Sequence, residues 1–173
     1  MKKESPDVRM TLLFPVTNTH ILLGIKQDKI GQGLWNGFGG RIEAGESILD
    51  AAVRESWEEV ELRIEKMDLN FVAVLDVYNR RGNGDVLHCR IYIFFAYNWN
   101  GVPEATKEMH SPTWFERDKL PLKEMMLADH TWLPHILSSE TRHHVKIWYG
   151  PDQMSLERKV HIRSCTLEDL NRL

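Results

Sequence analysis

Cysteine is scarce. Cys89 and Cys165 are the only two in 173 residues, so no disulfide framework organises the chain and a reducing, cytoplasmic setting is expected. Long apolar runs are missing as well: the longest, Ile91 to Tyr97, falls far short of the ~20 residues that cross a bilayer, so no membrane partner is expected. The opening Met1-Lys2-Lys3-Glu4-Ser5-Pro6-Asp7 has no continuous apolar core, and no signal peptide is expected from it. An excess of positive charge is also absent. A net charge of −3 excludes a protein that grips nucleic acid mainly through a basic surface. A phosphate ligand would instead need local Lys or Arg, helix dipoles or a bound cation. With 42% apolar and 27% charged residues the composition is that of a folded chain, and repeats and linker-like tracts are missing. Residues 1–173 therefore read as one domain.

What is present is punctuated by glycine. Val8 to Val16 and His20 to Ile25 have strand character, with turn chemistry at Thr17-Asn18-Thr19 between them. Six of the eleven glycines lie from Gly31 to Gly45, which marks a loop whose backbone takes positive φ or comes close to something else. Ser47 and Asp50 have capping-box spacing, with Asp50 reaching back to the Ser47 N–H, and predict a helix over 48–61. Strands are predicted over 68–77 and 86–97, joined by a hairpin turn through Asn83-Gly84, and a short one over 113–116. A helix over 129–138, interrupted by Pro134, precedes a C-terminal hairpin over 145–163 that turns at Gly150-Pro151-Asp152. Thr166 to Asp169 has the spacing to cap a last short helix. The class is α/β or α+β with a mixed sheet.

On the 48–61 helix, Glu55, Glu58 and Glu59 fall at i, i+3 and i+4, within one ~100° arc. Leu49, Val53, Trp57 and Val60 cluster on roughly the opposite side and are the expected core stripe. Three glutamates alone are a solvated face by default. Their mutual repulsion, a few tenths of a kcal/mol per pair, is also what a hard divalent cation with oxygen ligands reverses.

The wider pattern decides between the two. Gly40, five residues, Glu46, seven residues, then Arg54-Glu55-Ser56-Trp57-Glu58-Glu59-Val60-Glu61-Leu62 closely resembles the Nudix box, and six fixed positions match, namely Gly40, Glu46, Arg54, Glu55, Glu58 and Glu59. Chance agreement in a chain of this length is on the order of 10⁻⁵. Two positions depart: Glu61 replaces the box glycine, where a left-handed non-Gly residue costs about 1 kcal/mol, and Ser56 replaces a bulky apolar residue, weakening the core-side packing.

The resemblance implies the Nudix fold, a mixed sheet between helices with the box (residues 40–62) as a loop–helix–loop. It implies hydrolysis of a nucleoside diphosphate linked to another group with Mg²⁺, for which Mn²⁺ can substitute. Glu55, Glu58 and Glu59 would ligate metal together with the Gly39 carbonyl, Arg54 would orient a helix glutamate, and Glu46 would steady the loop. A closer resemblance, to the animal enzymes that hydrolyse oxidised purine nucleoside triphosphates, runs through Leu22 to Lys26, Gly33 to Arg41 including Trp35, Glu108-Met109, Trp114-Phe115, Leu120-Pro121 and Trp132-Leu133-Pro134. It implies Asn36 as a base contact, Glu108 as an extra metal carboxylate, and Lys26 and Thr11 as pocket residues. The chain is then expected to act as a monomer on small-molecule nucleoside triphosphates, without nucleic acid.

Base recognition departs most. That group reads the purine edge with adjacent aspartates and stacks an aromatic residue two positions earlier; here the pair is Ala128-Asp129 and Met126 stands in the aromatic place. Asp129 retains one hydrogen-bonding group and Met126 a polarisable ring cover, which predicts purine binding with altered discrimination. On bland grounds Trp35, Trp114, Trp132 and Trp148 are core or pocket-wall residues, Lys26 and Glu108 are solvated, and Asn36 is a turn residue. His143-His144 and the other histidines lack zinc-site spacing, and Cys89 reads as a packed thiol.

Overall fold

The computed structural model describes residues 5–173, so the first four residues of the charged opening stretch lie outside the described residues. The elements are β1 (Val8–Pro15), β2 (His20–Lys26), β3 (Trp35–Asn36), α1 (Ile48–Val60), β4 (Leu69–Arg80), β5 (Val86–Ala96), β6 (Met109–Glu116), α2 (Asp129–Leu137), β7 (Arg142–Tyr149), β8 (His161–Cys165) and α3 (Leu167–Asn171). They form a five-stranded sheet in the order β1-β5-β4-β7-β8 and a three-stranded sheet in the order β3-β2-β6. β1 runs parallel to β5 and β4 parallel to β7, while β4–β5 and β7–β8 are antiparallel. Among the described residues no helix is long and apolar enough to cross a membrane.

Strand alternation separates two apolar clusters. One gathers Leu75, Val77, Ile93, Phe95, Val145 and Ile147 under Trp132, Leu133 and Ile136 of α2. The other gathers Leu13, Leu22, Phe38, Phe94 and Met109 with Ala52 and Val60 of α1. Cys89 belongs to the first cluster as a packed thiol. Asp76 pins three neighbouring strands together, accepting from His88 Nε2 (2.8 Å), Arg90 Nε (2.8 Å) and His144 Nε2 (2.7 Å). Burial alone would raise its pKa. The three donors outweigh burial and hold it well below the usual carboxylate range.

α1 begins as its capping residue predicts, with Ser47 accepting from the Asp50 N–H at 3.1 Å. Asp50 does not reach back to the Ser47 backbone; its carboxylate accepts a hydrogen bond from the Ser47 hydroxyl and pairs with Lys66. The helix ends at Val60, and Glu61 adopts the left-handed conformation (φ 58°, ψ 25°) in the glycine's place. The chain there still turns its N–H groups back onto the Ser56 and Trp57 carbonyls.

Of the expected core stripe Val60 is buried and Val53 half-buried, while the other two are exposed. Trp57 is 44% and Leu49 38% exposed, and the buried residues of α1 are Ala51, Ala52, Glu55, Ser56, Glu59 and Val60. The buried face is rotated toward the acidic residues, and Trp57 instead lies under the Arg63 guanidinium, 4.8 Å from its ring centre. Ser56 is fully buried, and its hydroxyl lies 2.8 Å from the Val53 carbonyl and 3.1 Å from that of Leu62. A hydroxyl that fastens the helix end to the departing chain therefore replaces apolar packing.

Elsewhere β6 starts at Met109, four residues before the predicted strand, because its first half completes pairing with Lys26 and Ile25 across a bulge in β2. In the C-terminal hairpin β8 starts only at His161, since Pro151–Gln153 forms a 3₁₀ turn that lengthens the connection. The two-residue β3 lies inside the glycine-rich loop. Thr166 and Asp169 make the full capping box at α3.

Candidate active site

The segment Gly37 to Gly40 lies along β1. Phe38 exchanges backbone hydrogen bonds with Leu13 (2.7 and 2.8 Å), and the Thr11 N–H donates to the Gly40 carbonyl at 2.9 Å. Close approach, rather than backbone conformation, demands glycine here. A Cβ on Gly39 would stand 2.1 Å from the Thr11 carbonyl oxygen, and one on Gly40 would stand 2.4 Å from Glu55 Oε1. Positive φ is confined to Gly31, Gly33 and Gly45 within this loop's glycines.

That contact sets Glu55 against the loop, and Arg54 organises what surrounds it. Its guanidinium donates to both oxygens of Glu46 (2.9 and 3.0 Å), to Glu55 (2.8 Å), to Glu58 (2.9 Å) and to the Arg41 carbonyl (3.1 Å). Such charge-assisted, fork-shaped bonding fixes direction as well as distance. Glu59 is turned the other way and accepts from the Gly39 N–H at 2.6 Å. The structure thus shows the Gly39 amide, not its carbonyl, engaged with the helix. With Glu55 and Glu58 held on Arg54 and Glu59 on Gly39, no group of three or more His, Cys, Asp or Glu among the described residues is gathered closely enough to hold a metal ion.

Burial makes this acidic face uneasy. Desolvation raises the pKa of Glu55 against the pull of Arg54, and pushes that of Glu59 up to about 8 despite the Gly39 hydrogen bond. Glu108 adds to both shifts and Lys26 opposes that of Glu59, so both side chains lie within electrostatic reach of the helix carboxylates. Glu108 is exposed in the loop before β6, and Lys26 pairs with Met109 at the end of β2. Hard oxygen donors, with Glu55 and Glu59 buried and Glu58 and Glu108 exposed, outnumber the nearby cations Arg54 and Lys26 and fit a divalent cation in their chemistry.

Beyond Lys26 the site turns apolar. Met126 Sδ and the Lys26 stem both come within 4 Å of where a Cβ on Gly31 would be. Trp35 packs edge-on against Phe115 with ring centres 4.9 Å apart. Asn36 pairs with Gly24 in β3, and its side-chain oxygen accepts from the Gly37 N–H at 2.8 Å. Thr11 is 1% exposed, and its hydroxyl has no hydrogen-bond partner among the described residues. Asp129 opens α2 in a buried position, accepting from Trp132 Nε1 at 2.7 Å, and burial pushes its pKa up to about 7. Ala128 is fully buried, and its N–H donates to the Tyr149 hydroxyl at 3.1 Å. A separate cavity of about 500 Å³, between the first turn of α1, β5 and α3, contains none of these residues.

The acidic helix is thus gathered with Gly39, Glu108 and Lys26, and Met126 continues that surface. The family model described as NUDIX domain matches residues 8–136. The chain belongs to the NUDIX family. It is 35% identical over 137 residues, 76% of this chain and 80% of the relative, to the Danio rerio protein named oxidized purine nucleoside triphosphate hydrolase. In fold this Nudix chain is similar to the MutT protein of Bacillus halodurans, with a TM-score of 0.73 at 24% identity, covering 90% of this chain and 97% of that one. It is also similar to a bifunctional NMN adenylyltransferase/ADP ribose pyrophosphatase of Francisella tularensis complexed with AMP and a manganese ion (TM-score 0.57, 24% identity, 79% of this chain, 42% of that one). The expected fold class and enzyme class, a Nudix hydrolase, therefore stand. Two buried residues with polar side chains, Ser56 and Tyr149, carry only faint sequence signals. At Ser56 a small hydroxyl residue beside a left-handed exit signals a backbone tie rather than lost packing. Tyr149 ends an otherwise buried strand with a polar tip, the one local hint of its contact with Ala128.

Proposed function

We propose that this protein is a Mg²⁺-dependent hydrolase of purine nucleoside triphosphates, oxidised or otherwise modified ones included, which releases the nucleoside monophosphate and pyrophosphate and so clears the nucleotide pool. The observation that carries this reading is the joining of Glu55 and Glu58 through Arg54, with Glu59 buried beside them on Gly39. A pure nucleotide binder has no use for so complete an acidic set. The name borne by the Danio rerio relative points to the same substrate class.

Glu55, Glu58 and Glu59 would hold the cation, with Glu108 beside them. Bound Mg²⁺, or Mn²⁺ in its place, supplies charge neutralisation for the polyphosphate and acidifies a water. Arg54 keeps two of the carboxylates aimed, and the tight Gly39–Gly40 backbone leaves room for them. Lys26 lies where it can offset phosphate charge, and a carboxylate of the set takes the proton of the attacking water. Asn36, Trp35, Met126, Thr11 and Asp129 would form the nucleoside end. We further read the chain as a single-domain monomer acting on free nucleotides in the cytoplasm.

The test is a panel of normal, oxidised and methylated purine triphosphates, dinucleotides and ADP-ribose with Mg²⁺, ranked by kcat/KM, with Glu58→Gln alongside. Oxidised or modified purine triphosphates should lead, and the variant should lose orders of magnitude in turnover while keeping its fold. A lead for dinucleotides or ADP-ribose would overturn the substrate class, and full activity in the variant would overturn the assigned metal site.

A further inference from the structure

Tyr149 closes β7 at 4% exposure, in the apolar cluster with Ala128, Met125, Trp132 and Ile147. A phenol hydroxyl carries one donor and two lone pairs. One lone pair takes the Ala128 N–H, and among the described residues the hydroxyl proton has no acceptor. Buried tyrosine hydroxyls ordinarily find one. Asp129 is the next residue, near enough for its charge to add to burial in raising the tyrosine's pKa, yet not hydrogen-bonded to it. Ala128 itself brings no polar side chain beside them. An uncommitted donor and a carboxyl group thus stand near one another where the start of α2 meets the end of β7.

Resting on the purine nucleotide reading above, we propose that Tyr149 is a specificity-determining residue whose hydroxyl donates to a carbonyl oxygen on the base edge that Asp129 reads, so that oxopurine triphosphates are favoured over aminopurine ones. The chemistry matches by pairs. An oxopurine edge sets the O6 acceptor beside a ring N–H, answering the tyrosine donor and an accepting oxygen of the Asp129 carboxyl group; an adenine edge puts an N6 amino donor where the tyrosine also donates. The cost of facing a donor with a donor falls on the wrong base.

Two arms test this. With unmodified protein, inosine triphosphate and purine-riboside triphosphate differ only in the carbonyl and the ring N–H that goes with it. The first should exceed the second by about tenfold or more in kcat/KM, a single good hydrogen bond's worth. With Tyr149→Phe, inosine triphosphate should lose about tenfold, mostly through KM, while purine-riboside triphosphate barely changes. Equal loss on both substrates would reduce Tyr149 to a structural residue, and equal rates in the unmodified protein would overturn the proposal even if the variant fails to fold. Hydrolysis of neither substrate would instead sink the purine triphosphate reading on which the proposal rests.

Discussion

Asp129→Asn separates the energetics of the base end from everything else in the molecule. Asp129 is 8% exposed, and burial raises its pKa from 3.8 to about 7 against the pull of the Trp132 and Met126 hydrogen bonds. Between those two values the native protein holds a proton that the unfolded chain has released. Stability contributed by this group is therefore full below pH 3.8 and is lost as pH rises, until the loss stops near 7. At ~1.4 kcal/mol per pKa unit, a shift of about three units is worth ~4 kcal/mol. Asparagine keeps an oxygen for the Trp132 indole N–H and does not titrate. The variant should match the parent within about 1 kcal/mol at pH 4, an isosteric neutral exchange. At pH 8 it should be more stable by up to ~4 kcal/mol, and its purine triphosphate hydrolysis should be impaired. Urea denaturation of both proteins at the two pH values reads the difference. The comparison cancels the other titrating groups, including Glu59 and His143, whose depressed pKa acts in the opposite direction below pH 6.5. A stability difference that is the same at both pH values would refute a buried, proton-holding Asp129.

Gly40→Ala places a Cβ 2.4 Å from Glu55 Oε1; calorimetric titration with Mn²⁺ should show cation affinity reduced about tenfold or more, with far-UV circular dichroism unchanged. Ser56→Ala leaves the Leu62 carbonyl without its side-chain donor in a fully buried position; chemical denaturation should report a loss of ~1–2 kcal/mol, and a stabilised variant would show that apolar packing is what this position wants.

Local chemistry made the elements legible. The Ser47 cap, the Asn83-Gly84 turn and the Thr166 box each act within a few residues, and each stands where the sequence puts it. The acidic arc was legible because its spacing is the helix period itself. Which side of α1 faces inward was not. A stripe of Leu49, Val53 and Trp57 satisfies periodicity, but the glycine loop comes so close that Glu55 and Glu59 are the residues covered. Periodicity carries no information about what packs opposite. The glycine cluster left positive φ and close approach as alternatives, and the register of Phe38 on Leu13 resolves it into both, at different glycines. Tyr149 and Ala128 lie 21 residues apart, and only the packing of α2 on β7 brings them together.

The proposed function turns on the Glu55, Glu58 and Glu59 face holding a divalent cation against a triphosphate. Electron paramagnetic resonance of Mn²⁺, titrated into the protein with a non-hydrolysable purine triphosphate, measures that directly. Loss of the free-ion signal on the unmodified protein, its return on adding excess Mg²⁺, and no such loss in a folded variant with all three glutamates changed to glutamine is the predicted outcome. Equal Mn²⁺ uptake by both proteins would place the cation elsewhere and contradict it.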